Sequence, residues 1–113
     1  MRVLARITPG ASWRPGRTVW GQGPAVEAHL AYMRGRYDDG SLLLGGPLRS
    51  GMAGMAVLEV ADLEAADAFG TADPAVAAEV LAYEVAEVLP YFDALGGLRS
   101  AGATRGVRGG APR

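Results

Sequence analysis

Apolar and polar residues alternate at the start of the chain and give the first predicted element. Val3, Ala5 and Ile7 fall on one side of an extended segment. The other side carries Arg2, Leu4, Arg6 and Thr8, of which only Leu4 is apolar. A period of two residues is typical of a half-buried β-strand. Pro9-Gly10 ends this strand, because proline and glycine together favour a turn.

A helical period follows a loop, residues 10–24, that contains both tryptophans of the chain, Trp13 and Trp20. The helix is predicted to begin near Pro24, since proline is tolerated in a first helical turn. It is predicted to end at Asp38-Asp39-Gly40. Its apolar stripe, spaced for one helix face, consists of Val26, Leu30, Met33 and Tyr37.

A hairpin, a second helical region and a last strand complete the pattern. Residues 41–44 and 55–60 predict two strands on either side of a turn at Ser50-Gly51, and the second is apolar enough to be central in the sheet. Asp62 is the expected N-cap of the next helix, and Asp73-Pro74 restarts it with a second cap. Residues 82–89 predict the final strand.

The order strand, helix, strand, strand, helix, strand predicts an α+β protein with the ferredoxin-like βαββαβ fold. In this fold two helices cover one face of a four-stranded antiparallel sheet. Residues 42–44 and 55–58 supply apolar side chains to both faces. Since the second face needs a cover, we expect two sheets to pack together in a homodimer, as in a dimeric α+β barrel.

Composition narrows the classes of function. The 113 residues suffice for one domain, predicted over 1–95, followed by a glycine- and arginine-rich tail over 96–113. The absence of cysteine and the single histidine argue against a metal site. The net charge of −1 and the lack of aromatic residues in the tail argue against nucleic acid as a partner. No apolar run suits a signal or membrane segment, so a cytoplasmic location without membrane contact is expected.

Three segments taken together resemble the YCII family: EAHLAYM at 27–33, DGSLLLGGPL at 39–48, and LEAA at 63–66 followed by ADP at 72–74. The resemblance implies a dimeric α+β barrel related to muconolactone isomerase-like proteins and to a dehydrochlorinase acting on a hydroxylated aromatic compound. It also implies a His–Asp pair in a cleft, carried here by His29 and Asp73. The chain departs from the family pattern at Ala75, where an aromatic residue often follows Asp-Pro, and this leaves the substrate open.

The candidate site residues each have a functional and a structural interpretation. His29 borders the apolar stripe, and an imidazole, whose ordinary pKa is about 6.5, can accept and return a proton at neutral pH. Asp73 is interpreted either as its orienting partner or only as a helix cap. Gly46 and Pro47 are candidate substrate contacts or a simple turn. Arg6 faces an anionic ligand or forms a surface ion pair.

The tryptophans of the first loop also have two interpretations. They form a lid over a ligand, or they anchor the loop by packing.

Two functions follow from these residues together with the family resemblance, which also implies the pathway class given for the first. The first is a cofactor-free lyase or isomerase that uses His29 and Asp73 to move a proton on a small oxygenated cyclic or aromatic metabolite, in secondary metabolism or aromatic catabolism. The second is a non-catalytic dimer of the same family that binds a small ligand or serves as an accessory protein. A purely structural interaction domain would need no polar group in the cleft.

Overall fold

The computed structural model describes residues 1–95, which form one antiparallel sheet of four strands with the helices on one face. The predicted tail, 96–113, lies outside the described residues. No helix within 1–95 is long and apolar enough to cross a membrane. The elements in chain order are β1 (Arg2–Pro9), a 3-10 turn (Val19–Gly21), α1 (Pro24–Asp38), β2 (Leu42–Pro47), β3 (Gly54–Glu59), α2 (Leu63–Thr71), α3 (Pro74–Ala77) and β4 (Leu81–Glu87).

The strand order β2-β3-β1-β4, with every neighbouring pair antiparallel, confirms the ferredoxin-like α+β class. β3 lies between β2 and β1, so its central place in the sheet is also confirmed. Both predicted caps are present: Asp62 accepts a hydrogen bond from the backbone N–H of Ala65, and Asp73 accepts one from that of Ala75.

The core lies between the sheet and the helices. Val3 and Ala5 of β1 are fully buried, and they stand opposite Leu58 and Ala56 of β3, which are equally buried. The helices close this layer from above, with Phe69 of α2 among the buried side chains. The period of two in β1 therefore identified the inward face of the sheet correctly.

The stripe predicted for α1 is wrong at two positions. Leu30 and Tyr37 are each 58% exposed, and only Met33 of the helix is buried. The inward side of α1 instead carries His29 and Tyr32, whose hydroxyl donates to the backbone oxygen of Phe69 at 2.7 Å. A polar side chain can face inward where it finds a hydrogen-bond partner, and spacing alone does not reveal such partners.

A β-bulge at Leu42 and Leu44 sets the two faces of β2. Leu42 pairs with Leu58 and is buried beneath the helices. After the bulge, Leu44 pairs with Val57 and is 49% exposed on the face without helices. We call the side of the sheet without helices the open face. Leu4 of β1, which is 40% exposed, lies on it as well.

Candidate active site

His29 and Asp73 meet where α1 packs against α3. The imidazole Nδ1 lies 2.6 Å from Asp73 Oδ2, a short hydrogen bond between side chains 44 residues apart in sequence. The Asp73 side chain is fully buried and that of His29 is 13% exposed. With Nδ1 held by the carboxylate, Nε2 is the ring nitrogen left free for other partners.

The carboxylate of Asp73 receives three hydrogen bonds. Its Oδ2 accepts from His29 Nδ1 and from the Tyr83 hydroxyl, each at 2.6 Å, and its Oδ1 accepts from the Ala75 N–H at 2.9 Å. Burial by itself would raise the pKa of Asp73. The hydrogen bonds from His29, Tyr83 and Ala75 outweigh that effect and hold the pKa below its usual range. The group beside His29 is therefore a carboxylate at neutral pH.

Tyr83 is a member of this cluster that the sequence interpretation missed. Burial, and then the hydrogen bond to ionised Asp73, raise the pKa of the Tyr83 hydroxyl far above its ordinary value, so it remains a neutral donor. Its position in β4 could have indicated this role. Tyr83 pairs with Ile7 and so faces the helices, and a buried tyrosine hydroxyl normally needs a polar partner.

A cavity of about 140 Å³ lies beside His29, at the end of the sheet where β1 and β2 end and β3 and β4 begin. Its wall on the α1 side includes Val26, Leu30 and Met33. His29 is the one titratable side chain that lines it within residues 1–95. The cavity is therefore an apolar space with a single group able to accept or donate a proton.

The first loop forms the opposite wall, through Trp13, Val19 and Trp20. Gln22, which is almost completely buried, holds this loop in shape: its side chain accepts from the Arg14 N–H at 2.7 Å and donates to the Arg14 oxygen at 3.1 Å. The sequence interpretation did not single out Gln22. A glutamine amide can satisfy several backbone groups of an irregular loop at once, which makes it an organiser of the loop.

Gly51, in the β2–β3 turn, fixes the position of Trp20. Its φ of 74° suits glycine, and a Cβ there would stand 2.4 Å from the Trp20 ring. The Gly51 oxygen also accepts from the Val19 N–H at 2.7 Å. The tryptophan loop and the hairpin turn therefore form one continuous wall.

The remaining predicted site residues divide into two groups. Gly46 and Pro47 line the cavity. Arg6 does not line it, and its assignment as a substrate contact stays a prediction. It points to the open face, 67% exposed, and its Nε lies 3.2 Å from Glu84 of β4. Since alternate residues of a strand face opposite ways, Ile7 reaches the cavity and Arg6 cannot.

No group of three or more histidine, aspartate or glutamate side chains in the described part of the chain is placed to hold a metal ion. Among the described residues, the titratable group that lines the cavity is His29, which is linked through Asp73 to Tyr83. An imidazole held by a buried carboxylate is suited to proton transfer, because the carboxylate fixes its tautomer and stabilises the imidazolium.

Comparison with known proteins agrees with this architecture. The model of the YCII-related domain matches residues 22–91, a stretch that includes both His29 and Asp73. A search of curated proteins found no match.

One solved structure that matches is the 5-chloro-2-hydroxyhydroquinone dehydrochlorinase (TftG) of Burkholderia phenoliruptrix AC1100, in complex with 2,5-dihydroxybenzoquinone. The TM-score is 0.61 and the identity 21%, over 79% of this chain and 94% of that one. At this identity the likeness establishes the fold. The family model covers more than half of the sequence and confirms the resemblance seen in its motifs, so this chain belongs to the YCII-related domain family.

Proposed function

We propose that this protein is a cofactor-free lyase or isomerase that moves a proton on a small oxygenated cyclic or aromatic metabolite. The observation that carries the proposal is the 2.6 Å hydrogen bond from His29 Nδ1 to buried Asp73. The same His29 side chain also lines an apolar cavity. The fold shared with a dehydrochlorinase of a hydroxylated aromatic compound supports the same class of substrate.

In the proposed reaction, the neutral imidazole of His29 accepts a proton at Nε2 from an O–H or an acidic C–H of the bound ring. The electron pair of that bond moves into the ring. In an isomerisation the ring takes the proton back from the imidazolium at another ring atom. In an elimination from an aromatic ring, it takes the proton back at the carbon that bears chloride, and the electron pair from loss of a second O–H proton then expels chloride. The imidazolium releases that second proton to water. Asp73 remains ionised throughout and stabilises the imidazolium.

We further propose that the Gly46–Pro47 region contacts the oxygen on which negative charge develops. Both residues line the same cavity as His29. Glycine has no Cβ, so a ligand in the cavity can approach the Gly46 backbone closely.

The functional unit is proposed to be a homodimer. Leu4 and Leu44 are exposed on the open face, and Met55 and Val57 lie beside them, only partly buried. Arg6 and Glu84 form an ion pair at the same face. Packing two such faces together would bury apolar surface that otherwise contacts water.

Two assays with simple ring compounds test the proposed reaction. One measures chloride release from 5-chloro-2-hydroxyhydroquinone, and the other measures deuterium incorporation into cyclohex-2-enone in D₂O by NMR. We expect the wild type to accelerate at least one reaction and His29→Ala to lose about 10²- to 10⁴-fold of that acceleration. Failure of the wild type in both assays, or full activity of His29→Ala, would overturn the proposal.

A second candidate function is ligand binding without chemistry. The observation that favours it is the cavity lining, where His29 is the one titratable group among the described residues. An enzyme using this site must employ the same imidazole as base and then as acid. Selective binding with neither chloride release nor deuterium incorporation would favour this alternative.

A further inference from the structure

The size of the cavity limits what can occupy it. Its volume of about 140 Å³ is close to the roughly 150 Å³ of an engineered protein cavity that binds benzene. Sites for drug-sized ligands are larger, about 300–1,000 Å³. One six-membered ring therefore fills the enclosed part of the cavity.

The electrostatics of the wall limit the charge of that ring. Asp73 is ionised, so the His29–Asp73 pair carries a net charge of −1 when the imidazole is neutral and zero when it is protonated. Neither state presents a net positive charge to a ligand. Among the residues of 1–95, no arginine lines the cavity, and Arg6 is turned to the open face.

The tryptophans add to this preference. Trp13 and Trp20 both line the cavity with large uncharged side chains that favour apolar contact with a ring. An anionic ligand would thus lose its hydration without gaining a cationic partner, and such burial costs several kcal/mol unless the charge is neutralised. A neutral ring gains apolar contact and can present one polar group to His29.

From these observations we infer that the cavity selects a single uncharged six-membered ring, with a hydroxyl or carbonyl group directed at His29, and discriminates against ring carboxylates. The inference rests on the proposed function, because it takes the cavity beside His29 as the functional site, and it adds the class of ligand. It concerns binding, so it can be tested in the absence of turnover.

Salicylamide and salicylate are suitable probes, because they have nearly the same shape and differ by one charge at neutral pH. In both compounds the amide or carboxylate is ortho to the hydroxyl. A ring that binds with its hydroxyl directed at His29 therefore also places the amide or carboxylate inside the cavity. Isothermal titration calorimetry on the full chain gives both Kd values. The two indole N–H signals of Trp13 and Trp20 in a ¹H–¹⁵N spectrum give the location of binding.

We expect salicylamide to shift both indole signals and to bind at least about tenfold more tightly than salicylate, a ratio that corresponds to 1.4 kcal/mol. Leu30→Arg places a cation at the cavity rim, where Leu30 is 58% exposed. This variant should bring the two affinities within about threefold of each other, and the neutral control Leu30→Gln should not. Salicylate binding as tightly as salicylamide to the wild type, or no binding of either, would overturn the inference.

The outcomes separate this inference from the proposed reaction. Selective salicylamide binding without chloride release or deuterium incorporation leaves the ligand class standing and removes the reaction. Catalysis that depends on His29, accompanied by preferential salicylate binding, leaves the reaction standing and removes the ligand class. The indole signals are needed beside calorimetry because residues 96–113 contain four arginines, and calorimetry alone would count an anion bound by one of them as salicylate binding in the cavity.

Discussion

The two oxygens of Asp73 have separate partners. Oδ1 accepts from the Ala75 N–H and caps α3, while Oδ2 accepts from His29 and Tyr83. From sequence, the cap and the histidine partner stood as competing interpretations of this residue. The structure shows that one carboxylate has both sets of contacts, and the role of the pair in chemistry stays a prediction.

Asp73→Asn tests whether the carboxylate sets the tautomer of His29. The asparagine oxygen can keep the cap to Ala75, but its NH₂ group would then face Nδ1, so that the imidazole proton moves to Nε2. An imidazole protonated at Nε2 cannot accept a proton from a ligand in the cavity. We expect the reaction identified in the two assays above to fall by about 10²- to 10⁴-fold, with the fold retained by circular dichroism.

The matched control is Asp62→Asn, the same change at the N-cap of α2, away from the cavity. This control should retain wild-type turnover. Equal activity of Asp73→Asn and the wild type would show that the carboxylate only caps the helix.

Tyr83→Phe tests whether the hydroxyl keeps Asp73 ionised. A hydrogen bond to a charged group contributes about 1.5–3 kcal/mol, so we expect this loss in the free energy of unfolding at pH 7, measured with urea. The pKa of Asp73 is depressed by its donors, so this stability is present above the unfolded pKa, about 3.9, and is lost as the pH falls through the folded pKa. The stability gap between variant and wild type should therefore shrink at pH 3.

Tyr37→Phe is the control, because Tyr37 is 58% exposed and should tolerate the change within about 0.5 kcal/mol. A Tyr83→Phe gap that is the same at pH 7 and pH 3 would contradict the assigned role of the hydroxyl.

Among the elements, the buried face was predicted correctly where the apolar residues keep one regular period. It was not predicted where the strand or helix departs from that period. β1 alternates without interruption, and its inward face was identified residue by residue. The bulge in β2 reverses the facing of Leu44 relative to a regular strand, and no turn residue marks it in the sequence. In α1 the inward face includes His29 and Tyr32, since Asp73 and the Phe69 carbonyl supply their partners from 37 or more residues away. Contacts between residues so far apart in sequence cannot be predicted from the spacing of apolar residues within one helix.

The packing of α2 on β4 depends on a glycine. A Cβ at Gly70 would approach the Tyr83 ring to 3.1 Å, which is tighter than ordinary contact. We therefore expect Gly70→Ala to displace Tyr83 and to destabilise the protein by about 1–3 kcal/mol, as overpacking does. Thermal unfolding would measure the effect.

Gly35→Ala in α1 provides the comparison, because no atom lies within 4 Å of its added Cβ. Alanine should stabilise that helix by up to about 1 kcal/mol. If both variants behaved alike, close packing at Gly70 would not be the cause.

At the scale of the whole molecule, the order of elements was sufficient to predict the fold, because few arrangements of βαββαβ bury two helices on one sheet. The cavity could not be predicted in the same way. Its wall combines α1, the ends of all four strands, the tryptophan loop and the hairpin turn. The wall depends on local details: Gln22 holds the first loop in shape, and Gly51 joins that loop to the hairpin turn.

Assembly is the prediction that belongs to the whole molecule. A dimer through the open face should give about twice the 11.7 kDa chain mass in light scattering at micromolar concentration. Leu44→Glu places a charge on that face and should shift the mass toward the monomer, since an unpaired buried charge is costly. Leu63→Glu, at a similarly exposed leucine on α2, should leave the mass unchanged.

A monomer mass for the wild type throughout that range would contradict the dimer. So would a dimer that tolerates Leu44→Glu.

The central claim is that His29 presents an unprotonated Nε2 to the cavity while Asp73 holds the proton on Nδ1. The chain contains a single histidine, so a long-range ¹H–¹⁵N spectrum of tag-free, ¹⁵N-histidine-labelled protein shows one imidazole and needs no assignment. At a pH where the ring is neutral, we predict the Nδ1–H tautomer, a shift of the Nε2 signal on addition of salicylamide, and the Nε2–H tautomer in Asp73→Asn. A wild-type ring protonated at Nε2, or an Nε2 signal that does not respond to the ligand, would contradict the account.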